Sequence, residues 1–229
     1  MADGLTCLTG PEDPSLVDRS ETTMVGRKPL DRDKIGIDAL DKAEAIIAER
    51  GLGALNAREL ANGAGIAVGT LYNVYGNLDG LVQRLNARTL DRLSDRLEAE
   101  AGKAEGPEDQ MAAMARAYVD FADEQPLVWR AVFDHQPARA NRYSANIERI
   151  AGLAVSILSP LFPKDQRRAA RRAATIIWSG VHGICALAHG GNLRHVTPAD
   201  PKSLAEDLAR GYLAGLDHRD HQATFRTTD

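Results

Sequence analysis

The stretch GAGIAVGTLYNVYG, residues 63–76, decides the fold because it places a tight turn between two short helical patterns. Gly65 interrupts the first pattern, and Val68 opens a second one that stops at Gly76. Glycine readily adopts the left-handed backbone that a sharp turn needs. The pattern predicts a helix-turn-helix, in which the first helix braces a second one that can enter a major groove about 12 Å wide.

The residues around the turn predict which side chains hold it together. Asn56 stands where a helix N-cap is expected, and Glu59 follows three residues later in capping-box position. The second helix then presents Thr70, Tyr72 and Asn73 outward, where hydroxyl and amide groups can reach bases or phosphates. The side chains predicted to face inward are Leu60, Ala64, Ile66 and Leu71.

The rest of the chain has the composition of an all-α protein, rich in alanine, leucine and arginine and poor in β-branched runs. Apolar spacing and Pro or Gly punctuation predict helices over 31–50, 57–64, 68–74, 78–101, 108–124, 126–135, 140–160, 164–189 and 201–217. The expected organisation is a disordered tail (1–29), a helix-turn-helix DNA-binding domain (30–77), a helical-bundle regulatory and dimerisation domain (78–218) and a flexible C-terminus (219–229).

Charge and cysteine usage set broad limits on function. The net charge of −4 is already present in residues 1–26, so the remainder is neutral and global charge neither indicates nor excludes nucleic-acid binding. Cys7 and Cys185 lie far apart with no pairing pattern, and no signal sequence or membrane-length apolar run is found. We therefore expect a cytoplasmic protein without membrane association.

The segment LNARELANGAGIAVGTLYNVYGNLDGLVQRL, residues 55–85, resembles the DNA-binding domain of TetR-family transcriptional regulators. The resemblance implies a three-helix N-terminal domain followed by a helical domain that binds a small-molecule effector and forms a homodimer. It also implies that the chain binds double-stranded DNA and is a ligand-responsive regulator, most simply a repressor. Tyr75 matches the aromatic residue that packs between helices in that family.

Two positions depart from the family pattern. Ala67 replaces the usual capping serine of the recognition helix, and Leu78 replaces a frequent phosphate-binding lysine. We expect a smaller salt dependence of DNA binding for that reason, with compensation from Arg27, Lys28, Arg32 and Lys34 at the front of the domain. The predicted DNA-binding residues are Arg58, Val68, Gly69, Thr70, Tyr72, Asn73 and Asn77, together with Arg27 and Lys28.

A second constellation lies in the segment IIWSGVHGICALAHGGN, residues 176–192, where Trp178, His182, Cys185 and His189 share one helical stripe. Three interpretations remain open: a packed interface with hydrogen-bonded histidines, one wall of a ligand pocket, or a metal or haem site. The segment PLVWRAVFDHQP, residues 126–137, is either core or the opposite wall of that pocket. The predicted ligand-binding residues are Trp129, Phe133, His135, Trp178, His182 and Cys185.

The alternative function is a helical-bundle metal- or haem-binding protein that uses the stripe. Three ligands spread over two turns of one helix rarely make a tetrahedral site. The sequence also lacks paired carboxylates, a nucleophile–base motif and a phosphate-binding loop. We therefore expect neither an enzyme nor a bound cofactor or metal.

A basic face formed by Arg167, Arg168, Arg171 and Arg172 is interpreted as solvated, or else as part of a dimer interface.

Overall fold

The computed structural model describes residues 32–135, 142–163 and 165–225, and the regular structure of that part of the chain is helical throughout. Its helices are α1 Arg32–Arg50, α2 Ala57–Gly63, α3 Val68–Tyr75, α4 Leu78–Ala101, α5 Gly106–Glu124, α6 Pro126–Asp134, α7 Arg142–Leu158, α8 Arg167–His189 and α9 Pro201–Phe225. The predicted all-α class is confirmed. Among the described residues, no helix is both long and apolar enough to cross a bilayer.

Helix bounds follow the sequence prediction most closely around the turn. The ends of α2, α3 and α4 lie within one residue of the predicted ends. The largest difference is at α9, which continues to Phe225 instead of stopping at about 217. The segment after Leu216 contains no glycine or proline that would end a helix, so the pattern there offered no true stop signal. The predicted tail, 1–29, lies outside the described residues.

The N-terminal core is built from α1, α2, α3 and the first two turns of α4. Apolar residues on the inner side of α1 meet Leu60 and Leu71, which are 0% and 1% exposed. Both residues were predicted to face inward, and that prediction is confirmed. From α4, this core takes Leu81, Val82 and Leu85.

A second, larger core is formed by the rest of α4 with α5, α7, α8 and α9. Leu90, Leu93 and Leu97 continue the apolar face of α4 into it. The two cores therefore share α4, whereas the sequence suggested a domain boundary where α4 begins. A helix that spans both cores can transmit a displacement from one to the other.

Helix α6 also belongs to both cores. Val128 and Ala131 pack in the N-terminal core, whereas Trp129 and Val132 pack in the second core. The Asn86 side chain of α4 donates a hydrogen bond of 3.2 Å to the Ala131 carbonyl. This short helix thus bridges the N-terminal core and the second core.

Candidate DNA-binding surface and effector cavity

The predicted cap of α2 is confirmed. The Asn56 side-chain oxygen accepts a hydrogen bond from the Glu59 backbone N–H at 2.8 Å, and the Asn56 amide donates to the Glu59 carboxylate at 3.0 Å. Arg50, at the end of α1, also donates to that carboxylate. This hydrogen bond is the main reason that the pKa of Glu59 lies below its ordinary value. The cap therefore also ties α2 to α1.

The turn between α2 and α3 has the backbone that the sequence predicted. Gly65 has φ 67°, in the region that favours glycine, and Ala67 begins α3 without a side-chain cap. The absence of a capping hydroxyl leaves the first amides of α3 without that partner, as expected from the sequence. A DNA phosphate could take its place, because helix N-termini bind anions.

Helix α3 is fixed to its neighbours by its inner face and its end. The Tyr75 hydroxyl donates to the Gly36 carbonyl of α1 at 2.5 Å, and desolvation raises the pKa of this half-buried phenol. A Cβ atom at Gly80 would lie 2.2 Å from the Tyr75 carbonyl oxygen, so only glycine allows α4 to begin so close to α3. Sequence reasoning did not identify Gly80.

The outer face of α3 remains open. Tyr72 is 42% exposed, and Asn73 and Gly69 are exposed beside it. Val68 and Thr70 are partly exposed. Arg58 lies exposed on α2. Asn77 is also exposed, but its side-chain oxygen already caps α4 by accepting the Gly80 N–H at 2.7 Å. Arg27 and Lys28 lie outside the described residues.

Ion pairs that the sequence did not predict hold α1 against α4. Arg88 binds Asp41 and Glu44, each at 2.6 Å, and Arg92 binds the same Glu44 at 2.8 Å. Glu44 is only 13% exposed at its side chain, so its contacts are less screened than those of a surface pair. They fix the angle between α1 and the long helix.

His135 does not join the predicted ligand-binding residues. Its Nε2 atom lies 2.6 Å from the Asp79 carboxylate in the first turn of α4, and Gln83 donates to the other Asp79 oxygen at 2.6 Å. The contact joins the end of α6 to the helix start directly after α3. The position of His135 points to a connection between the two cores.

A cavity of about 230 Å³ lies inside the bundle, between α4, α5, α7 and α8. Its walls are mostly aliphatic and come from residues far apart in the sequence. Phe133 and Trp178, both predicted to bind a ligand, lie in its lining together with Tyr118. At one edge, Arg171 of α8 binds Glu148 of α7 at 2.7 Å. The arrangement suits a molecule whose apolar body fills the cavity and whose end reaches the charged pair at its edge.

Two further predicted ligand residues, Trp129 and His182, belong to an aromatic cluster beside the cavity. The Trp129 N–H donates to the Tyr118 oxygen at 3.2 Å, and the Tyr118 hydroxyl lies 2.9 Å from His182 Nδ1. His182 stacks on Trp178 with ring centroids 5.4 Å apart. Burial lowers the pKa of His182, which favours the neutral ring, whose Nδ1 can accept a hydrogen bond from the Tyr118 hydroxyl.

Cys185 and His189, the other members of the α8 stripe, lie outside the cavity lining. Cys185 is 0% exposed within the second core, and burial raises its pKa to about 12. The His189 ring packs against Trp129 at an interplanar angle of 50°, with ring centroids 5.5 Å apart. Within the described part of the chain, no group of three His, Cys, Asp or Glu side chains has the geometry of a metal site.

Comparison with known proteins gives matches to both parts of the chain. Residues 39–85 match bacterial regulatory proteins of the tetR family, and residues 111–212 match the tetracyclin repressor-like C-terminal domain. The HTH-type transcriptional regulator BetI of Brucella anthropi is 24% identical over 188 residues, which cover 81% of this chain and 91% of BetI.

Solved structures share the fold. A protein of unknown function from Rhodococcus sp. RHA1 has a TM-score of 0.69 and 24% identity, covering 82% of this chain and 98% of its own. The transcriptional regulator FadR of Bacillus subtilis, solved in complex with stearoyl-CoA, has a TM-score of 0.60 and 14% identity, covering 78% of this chain and 98% of FadR.

An exposed recognition helix on a small helical core, followed by a helical bundle with a cavity, defines a DNA-binding regulator of the helix-turn-helix class. The chain belongs to the TetR family of transcriptional regulators. The predicted family and the prediction of a DNA-binding transcriptional regulator are thereby confirmed.

Proposed function

We propose that the protein is a homodimeric, cytoplasmic repressor that binds a pseudo-palindromic operator and leaves it when a small molecule fills the cavity. The observation that carries this proposal is the solvent-exposed face of α3. Thr70, Tyr72 and Asn73 lie on this face, whereas the opposite face of the helix is buried. A helix that is already folded and fixed on its inner side can dock in the major groove without the cost of ordering its backbone.

Within the proposed interface, polar residues divide between bases and backbone. Thr70 and Asn73 can hydrogen-bond to base edges, and the Tyr72 hydroxyl can reach a phosphate. Arg58 lies exposed on α2 and supplies a cation for the sugar–phosphate backbone. Phosphate contacts make the affinity depend on salt concentration, whereas base contacts select the operator.

The proposed response to an effector passes through α6 and α4. Phe133 of α6 lines the cavity, and Ala131 of the same helix packs in the N-terminal core. A molecule that displaces Phe133 would move α6, which His135 and Asn86 connect to α4. Such a molecule shifts the equilibrium between an operator-binding and a released conformation. The shift is limited by the difference between its affinities for these two conformations.

Several open positions on α8 and α9 support a dimer formed through these helices. Ile176 and Leu187 are 40% and 44% exposed on the same side of α8, with Gly183 between them. A Cβ atom on Gly183 would meet nothing within 4 Å, and the same is true of Gly211 and Gly215 on α9. Small residues beside exposed apolar ones allow a second copy to approach closely. Dimerisation would place two α3 helices on one operator.

Selection of binding sites from a random duplex pool by the full-length protein tests this proposal. We expect enrichment of an inverted repeat whose half-sites are separated by about one helical turn or somewhat more. The affinity for the selected duplex should fall steeply as salt rises, and light scattering should give the mass of a dimer. A pool without an enriched motif, or a monomer at DNA-binding concentrations, would overturn the proposal.

A further inference from the structure

We propose that the effector is a small amphipathic anion, with its apolar body in the cavity and its anionic group on Arg171, where it displaces Glu148. This inference rests on the proposed function, because it names the chemical class of molecule that the cavity admits. It follows from the size of the cavity, from the chemistry of its wall and from the charges at its edge.

The cavity volume limits the apolar body. At about 230 Å³ it exceeds the roughly 150 Å³ that accommodates one benzene ring, and it is smaller than the roughly 300 Å³ at which drug-sized sites begin. One substituted ring, or a chain of about eight carbons, matches this space. Burying each methylene group of a chain should strengthen binding about fourfold until the cavity is full.

The inner wall offers no counter-charge for an ionised group. It consists largely of Leu, Ile, Met and Ala side chains, including Leu93, Met114 and Ile150. Its hydroxyls are already engaged: that of Tyr118 with Trp129 and His182, and that of Thr175 with the Arg171 carbonyl at 2.9 Å. An ion placed there would lose its hydration without compensation, so a charged group of the effector must stay at the edge.

At that edge, the arrangement favours a negative group. Arg171 lines the cavity, and its guanidinium donates to both Glu148 oxygens, at 2.7 and 2.8 Å. A carboxylate that arrives with an apolar body can therefore find a cation where the body ends.

The Glu148–Arg171 pair can be exchanged at little cost. Both side chains are largely exposed, 60% and 57% respectively. Ion pairs of this kind contribute little to stability, since water screens the attraction. Glu148 thus acts as an internal anion that occupies Arg171 while the cavity is empty. Removing its charge should leave the guanidinium to the ligand alone.

The test uses the full-length protein and three matched probes: octanoate, octan-1-ol and octylammonium. Titration calorimetry gives the affinity, and tryptophan fluorescence reports binding, because Trp178 lies in the cavity wall and Trp129 in the adjoining aromatic cluster. We expect octanoate to bind about three- to fivefold more tightly than octan-1-ol, because an exposed pair with Arg171 adds a modest attraction to the same apolar contact. Octylammonium should bind least tightly of the three.

Three substitutions separate the roles of the charges. Arg171→Gln should reduce octanoate binding to the level of octan-1-ol, whereas Glu148→Gln should strengthen octanoate binding severalfold. Arg172→Gln, at an exposed position one residue later, is the control and should change neither. Ala151→Phe should block octanoate and octan-1-ol alike because Ala151 lines the cavity; circular dichroism confirms that each variant is folded.

Operator binding measured in parallel keeps the two proposals apart. Equal affinities for octanoate and octan-1-ol, together with no effect of Arg171→Gln, would overturn the anionic class while leaving an effector cavity in place. Octanoate binding that persists in Ala151→Phe would place the molecule elsewhere and overturn the inference. If the protein binds its operator but not octanoate, the inference is wrong and the proposed DNA binding stands. Absence of operator binding contradicts the proposed function itself.

Discussion

The Nε2 atom of His135 lies 2.6 Å from the Asp79 carboxylate, and this contact joins the end of α6 to the first turn of α4. Residues 79 and 135 are far apart in the sequence and belong to different helices. Because α3 ends only a few residues before Asp79, the contact lies directly behind the proposed DNA-binding surface. It therefore offers a specific way in which the bundle can influence the recognition helix.

Replacing His135 by alanine should loosen the first turn of α4. The Asp79 carboxylate loses a partner, and a hydrogen bond to a charged group is worth about 1.5–3 kcal/mol. We expect faster hydrogen exchange at the amides of residues 79–83 and an operator affinity that is about tenfold weaker. Arg130→Ala removes an exposed ion pair with Asp134 on the same helix and is the matched control. Unchanged exchange in His135→Ala would refute a role of this contact in positioning α4.

Replacing Tyr118 by phenylalanine should destabilise the second core without changing its shape. The Trp129 N–H and the His182 ring both lose their hydrogen-bond partner, so we expect a loss of about 1–3 kcal/mol in the free energy of unfolding. Tyr72→Phe removes an exposed hydroxyl and should change stability by less than about 0.5 kcal/mol. Urea unfolding of both variants measures the difference. Equal midpoints would mean that the Tyr118 hydroxyl contributes nothing.

Acidification should destabilise the protein partly through His182. Burial lowers the pKa of this ring in the folded state, so the unfolded chain takes up a proton more readily below pH about 6.5. The stabilising contribution of neutral His182 is therefore complete above that pH and is lost as the pH falls. The melting temperature of His182→Gln should decrease less between pH 7.5 and 5.5 than that of the wild type. His195→Gln, at an exposed histidine, should match the wild type; equal slopes in all three proteins would argue against this role of His182.

Local signals predicted the N-terminal part of the structure well. The Asn56 cap, the Gly65 turn and the Gly76 stop are each encoded within a few residues, so the limits of α2 and α3 could be predicted from the sequence alone. The helical class also followed from composition and spacing. Helix α9 continues beyond its predicted end because no glycine or proline after Leu216 stops it.

The cavity and the connections between helices depend on contacts over long distances in the sequence. Helical spacing placed His182 on one stripe with Trp178, but not against Tyr118, which lies 64 residues earlier. The His135–Asp79 contact and the Arg88–Glu44 pair likewise join residues that only the packing of helices brings together. Sequence periodicity identifies a buried face, but it does not identify the partner of that face.

The central claim is that α3 binds the operator through Thr70 and Tyr72. The most direct measurement is the fluorescence anisotropy of the selected operator with wild-type protein and with the Thr70→Ala/Tyr72→Ala double variant. Two lost contacts of about 1–3 kcal/mol each predict an affinity at least about 30-fold weaker, with an unchanged circular dichroism spectrum and dimer mass. Ser203→Ala, at an exposed serine near the start of α9, should bind like the wild type. Operator binding at wild-type affinity by the folded double variant would contradict the account.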